Sequence, residues 1–152
     1  MKLAEALMQR ADCQKRIAQL RQRLTRSAKV QEGEQPPENP QELLSEVDTV
    51  ITELTRLVQR INQTNANTAF AEGSLSDALA QRDTLFTKRS VLENLIQAAS
   101  ITHDRYSRSE VRFVSTVDIG SLQRQLDDIS RDYRLLDAQI QSLNWQIDLL
   151  GG

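Results

Sequence analysis

The chain has 152 residues, 39% of them hydrophobic and 4% aromatic, with a net charge of -2 and one cysteine. That length suits a single domain, residues 1–152, with a core of its own, and the lone Cys13 excludes an internal disulfide. The start, MKLAEALMQRAD, meets polar residues within a few positions, and no later run reaches membrane-spanning length, which predicts a cytoplasmic protein without membrane segments.

Scarce Gly, Pro and aromatics, with abundant Leu, Gln, Arg, Asp, Ala and Glu, predict an all-α fold. The first helix is expected from about Lys2 to Lys29, with Leu3, Ala6, Arg10, Cys13, Ile17, Leu20 and Leu24 on one face and Leu7 and Ala11 widening it. Cys13 falls on that face, where it reads as a small core residue rather than a nucleophile. Residues 1–30 hold eight Lys/Arg against two acids, and residues 31–48 hold six acids and no base. An antiparallel hairpin would set Arg21, Arg23 and Arg26 beside Glu42 and Glu46; the alternative is a basic helix that binds nucleic acid or an anionic surface, although its bases are spread over several faces.

The linker QEGEQPPENP cannot continue a helix. Asn39-Pro40-Gln41-Glu42 then restarts one, with a capping side chain, proline at the first helical position and a glutamate placed to reach back to the cap amide. The second helix, about Pro40 to Asn65, carries Leu43, Val47, Val50, Leu54, Leu57 and Ile61, with Leu44, Ile51 and Val58 as a second column suited to a bundle. NQTNANT is expected to end it. The third helix starts near Ser74, whose spacing to Asp77 resembles a capping box, and runs to about Ser100; Arg82 and Arg89 sit at seam positions and are expected to reach toward the rim. The fourth has ten consecutive heptad positions, Ile119, Leu122, Leu126, Ile129, Tyr133, Leu136, Ile140, Leu143, Ile147 and Leu150, each apolar or tyrosine. Four such helices predict an antiparallel bundle of two coiled-coil-like hairpins. Leu135, Trp145 and Leu149 lie opposite the main seam of the fourth helix and are candidates for an interface between copies.

The join before the fourth helix, THDRYSRSEVRFVSTVD, is long for a bundle. Its second half alternates, with Val111, Phe113 and Val117 among β-branched neighbours, and residues 110–117 are expected to be extended or a short β segment. The edge of such a segment needs a partner: the same segment of a second, two-fold related copy, which adds Val111, Phe113 and Val117 to the interface candidates, or the earlier loop Asn65 to Gly73. Asp118 or Ser121 caps the helix that follows. The first half gathers His103, Arg105, Tyr106 and Arg108, and with Arg112 these are candidates for holding a phosphate, a base or a protein partner; pairing of Arg105, Arg108 and Arg112 with Asp104, Glu110 and Asp118 explains the same charges without a ligand.

One histidine and one cysteine leave no metal set of the usual kind. Asp127, Asp128 and Asp132 read as a salt-bridged face with Arg124 and Arg131. No phosphate loop, nucleophile elbow or Ser/His/Asp set is present, so neither catalysis nor a cofactor is expected. The terminal Leu149-Leu150-Gly151-Gly152 reads as a helix stop.

The stretches MKLAEALMQRADCQKRIAQL, KVQEGEQPPENPQELL, RINQTNANT, RYSRSEVRFVSTVD and LNWQIDLL resemble a family of small bacterial proteins labelled septicolysin-like, over nearly the whole chain. The resemblance implies a name without an established activity and carries over no catalytic residue. A cytolysin needs an inserting hairpin or a strand pair able to line a pore, and the sequence has neither. The expectation is a self-associating helical scaffold or adaptor for an unidentified protein. A nucleic-acid- or phosphate-binding accessory protein using residues 102–118 is the alternative, and a membrane-active protein comes last.

Overall fold

The computed structural model describes residues 1–100 and 111–151. It is all-α, with α1 Leu3–Arg26, α2 Pro40–Asn67, α3 Leu75–Ala99 and α4 Ile119–Gln146, and a two-stranded ribbon of β1 Ala69–Phe70 and β2 Gly73–Ser74. Two compact units divide the chain. One is Met1–Ala69 with Gln141–Gly152, the other Phe70–Ile140.

In the first unit α1 and α2 form an antiparallel hairpin. The three-and-four spacing of apolar residues decides what it buries: Leu3, Ala6, Cys13 and Leu20 from α1, and Leu43, Val50, Leu57 and Ile61 from α2. Burial pushes the Cys13 thiol above its ordinary range, and the nearby Glu53 carboxylate adds to the effect. Asn39 opens α2 by accepting a hydrogen bond from the Gln41 amide at 2.9 Å, with Pro40 at the first turn. Among the described residues Glu42 makes no return bond to the cap. The second column of α2 is only half covered, with Leu44 45% and Ile51 44% exposed. The charge blocks meet as a hairpin allows, with Arg23 within electrostatic reach of Glu46, but its direct bonds go to Glu38 of the linker, through Nε at 2.9 Å and through Nη2. Arg16 approaches Glu53 at 3.8 Å.

The helix α2 continues through the polar run to Asn67. Thr64 and Thr68 allow this by donating their hydroxyls to the Arg60 and Thr64 carbonyls, both at 2.7 Å, so their polarity is spent inside the helix. Thr64 is fully buried.

The helix α4 stops at Gln146, short of the expected Leu150. The start of the chain takes the backbone there. Leu3 N donates to Ile147 O at 2.9 Å, Leu149 N donates to Met1 O at 2.8 Å, and Lys2 and Asp148 form an antiparallel bridge. Lys2 Nζ also donates to Gln146 O at 3.0 Å and pairs with Asp148 at 2.8 Å. Leu150 is held on both sides: its amide donates to Thr64 Oγ1 at 2.9 Å and its carbonyl accepts from Arg60 Nε at 3.0 Å.

The ribbon pairs residues 69–70 with 73–74 across a turn in which Ala71 has φ +47°, a left-handed conformation disfavoured with a Cβ. The expected box at Ser74 is present: Ser74 N donates to Asp77 Oδ2 at 2.9 Å and Asp77 N to Ser74 Oγ at 3.2 Å. The seam arginines of α3 face α4 rather than simply reaching to the rim. Arg82 donates to Asp137 at 3.0 Å, and the Arg89 guanidinium lies 4.9 Å from the Phe86 ring centre and 4.8 Å from that of Tyr133. Stacked on two π faces, Arg89 ties an α3 ring to an α4 ring while its charge stays compensated.

Candidate interaction surface

The second unit has a groove of about 440 Å³ where α3 ends. Its walls come from Leu95, Ala98 and Ala99 on α3 and from Phe113, Val114 and Val117. Ser100 terminates α3 by returning both its amide and its hydroxyl to the Ile96 carbonyl, at 3.0 and 2.8 Å. On the other side Asp118 begins α4, its Oδ1 accepting from Ser121 N at 3.1 Å. Between them residues 111–117 carry no strand, so the β pairing of this chain lies between α2 and α3 and not where the alternation placed it. Ser115 supplies the reason. Its hydroxyl donates to Val117 O at 2.8 Å and accepts from Val117 N at 3.3 Å, a local closure that bends the backbone away from a ladder.

Small residues make the groove. Ala98 and Ala99 leave a hollow that longer side chains at the same positions would fill, and the neighbouring Phe113 and Val114 are each 77% exposed. Val111 is 67% exposed, and Val117 is half-buried against the wall. The alternation singled out Val111, Phe113 and Val117 for an extended segment between copies; here Phe113 and Val117 line the groove without forming a strand. Leu95, Ala98 and Ala99 escaped it, because on a helix they look like any other seam; the signal available was a pair of alanines at the end of α3.

The remaining candidates separate. Arg112 is exposed and makes no ion pair among the described residues, since Asp118 is engaged in capping. His103, Arg105, Tyr106 and Arg108, with the carboxylates expected to pair with them, lie outside the described residues. Leu135 in the second unit and Trp145 in the first are 55% and 56% exposed, as an outward face requires. Leu149 is 8% exposed, because the bonds to Met1 and Leu150's bonds to α2 fold it into its own unit, so it is not available to a partner. On the acidic face of α4, Arg131 approaches Asp128 and Asp132, each at 3.7 Å, while Asp127 accepts from Gln123 at 3.4 Å. Among the described residues no group of three or more His, Cys, Asp or Glu side chains is placed to hold a metal ion, and no helix is long and apolar enough to cross a membrane.

Two helical hairpins with an apolar groove at one helix end thus define the class. The chain belongs to DUF6847, a family of unknown function, which it matches over residues 10–149. It is also similar to a solved structure described as a functionally unknown conserved protein from Corynebacterium diphtheriae, at 45% identity over 98% of each chain and a TM-score of 0.90. No curated protein matches it.

Proposed function

We propose that this protein is a self-associating helical scaffold or adaptor without catalytic activity, and that the groove between α3 and residues 113–117 is its contact surface. The exposure of Phe113 and Val114 beside that hollow carries the reading. Soluble proteins cover contiguous apolar patches unless something else does so, and burying each such side chain is worth about 1.5–3 kcal/mol. Protrusion and hollow lie in the same patch, which suits a two-fold contact in which each copy supplies both. The exposed Leu135 and Trp145 are further surfaces available to a partner. The septicolysin-like resemblance adds a label to this reading and no mechanism.

Sedimentation velocity at micromolar concentration tests it. The expected result is a dimer or larger species that Phe113→Asp with Val114→Asp converts to monomer while far-ultraviolet circular dichroism stays unchanged. A wild-type protein that sediments as a monomer overturns the self-association. Salt-dependent retention on a nucleic-acid column that Arg112→Ala abolishes would move the assignment to nucleic-acid binding.

A further inference from the structure

The first unit contains a groove of about 530 Å³ that the scaffold reading does not use. Its size is that of a small-molecule site. Thr49, Thr52, Glu53, Arg56 and Arg60 of α2 line it, each three or four residues from another of the set, which places them on one face over about 16 Å. Gln9 of α1 forms part of the other wall, and the buried Leu57 is the apolar floor.

The chemistry along this face is ordered from one end to the other. Thr49 and Thr52 spend their hydroxyl hydrogens on the Ser45 and Asp48 carbonyls, at 3.1 and 2.9 Å, so they offer the groove only lone pairs. Glu53 adds a carboxylate beside them. One turn further on, Arg56 and Arg60 bring donors only. Arg60 is oriented by the bond from its Nε to Leu150 O, which leaves its terminal nitrogens without a partner among the described residues. Arg56 has no ion pair or hydrogen bond among them. Glu53 is met by Arg16 at 3.8 Å from outside the groove lining, and no ion pair joins it to Arg56 or Arg60 among the described residues.

Acceptors at one end and two guanidinium groups at the other select a ligand of matching polarity: an anion at one end, hydroxyl donors at the other. We propose that this groove binds a phosphorylated polyol such as a sugar phosphate. Arg56 and Arg60 would take the phosphate, whose oxygens fit their forked donors, and Thr49, Thr52 and Glu53 would accept from the hydroxyls. Gln9 can donate or accept between the two ends.

The test is a titration of the isotope-labelled full chain, followed by amide chemical shifts, with three probes: ribose 5-phosphate, inorganic phosphate and ribose. Saturable shifts at residues 49–60 and Gln9 are expected with ribose 5-phosphate, at an affinity roughly tenfold or more above either partial probe. Arg56→Gln, a change at an exposed helical position that leaves the fold intact, should weaken binding by at least about tenfold. Thr49→Val should weaken ribose 5-phosphate and leave inorganic phosphate unaffected. Equal affinity for ribose 5-phosphate and inorganic phosphate would overturn the acceptor end of the site. Absence of saturable shifts, or an Arg56→Gln protein that binds as wild type does, would overturn the site as a whole.

Discussion

The two non-helical stretches that border α4 end up in opposite circumstances. Residues 147–150 leave the helix and are taken up at once by the same unit: Met1 and Leu3 bond their backbone, Thr64 and Arg60 hold Leu150, and Leu149 sinks to 8% exposure. Residues 113–117 lead into the helix with Phe113 and Val114 each 77% exposed. Both stretches are rich in apolar side chains. What separates them is supply: the first unit has a chain start and a buried hydroxyl within reach, whereas the groove of the second offers a hollow that its own neighbouring side chains do not fill. Apolar content alone therefore does not decide whether a segment becomes core or contact surface.

The largest test of that contrast is to remove a side chain that the first unit has already covered. Leu3 is fully buried at the head of α1, and its amide holds Ile147. Leu3→Ala is expected to cost about 2–5 kcal/mol in urea-induced unfolding, since both transfer energy and a cavity are involved. Thr64→Val comes next. Valine has almost the same shape but no oxygen to accept from Leu150 N, and an amide left unpaired in a half-buried place costs about 1–3 kcal/mol. Amide exchange at Leu150 should quicken in the same variant. The comparison fails if both substitutions are silent while the helices stay intact.

Phe113→Ala is the counterpart in the second unit. A ring that is mostly in water contributes little to the fold of its own chain, so unfolding at high dilution should change by no more than about 0.5 kcal/mol. The same substitution should weaken self-association at micromolar concentration. A loss of several kcal/mol at dilution would place Phe113 in the core and remove the contrast.

What the sequence made legible was local. The buried set Leu3, Ala6, Cys13 and Leu20 lies on the face that the three-and-four spacing picked out. Asn39 and the Ser74–Asp77 box open their helices as their side chains dictate, and of the two residues offered for α4 it is Asp118 that caps. What was not legible depended on partners distant in sequence. The heptad of α4 runs on to Leu150, yet the helix ends where Lys2 and Leu3 bond the Gln146 and Ile147 carbonyls. Thr64 reads as a polar terminator and is core, because its hydroxyl is satisfied at Arg60 O and again by Leu150 N. Arg89 reads as a rim charge until Tyr133 and Phe86 are found flanking it. The alternation singled out Phe113 and Val117 for an extended segment between copies, but it could not show that they share a hollow with Ala98 and Ala99.

The smallest expected effect concerns the ion pair that fastens residues 147–150. The hydrogen bond from Lys2 holds the Asp148 carboxyl below its ordinary range, helped by the charges of Lys2 and the chain's amino terminus and opposed by partial burial. A carboxyl depressed in the folded state binds protons more readily when the chain is unfolded. Its contribution is therefore complete above the ordinary carboxylate range and disappears as pH falls through the folded value. Asp148 is 77% exposed at its side chain, so the contribution is small and shrinks with added salt. Glu38, held down by Arg23, titrates in the same direction, so a pH profile of the wild type alone cannot isolate the clasp. The difference between wild type and Asp148→Asn can, because Glu38 is common to both proteins. That difference in urea midpoint should be present at neutral pH and low salt, diminish in high salt, and vanish in acid. A difference that persists unchanged in acid would mean that Asp148 acts through its shape at the bridge with Lys2 rather than through its charge.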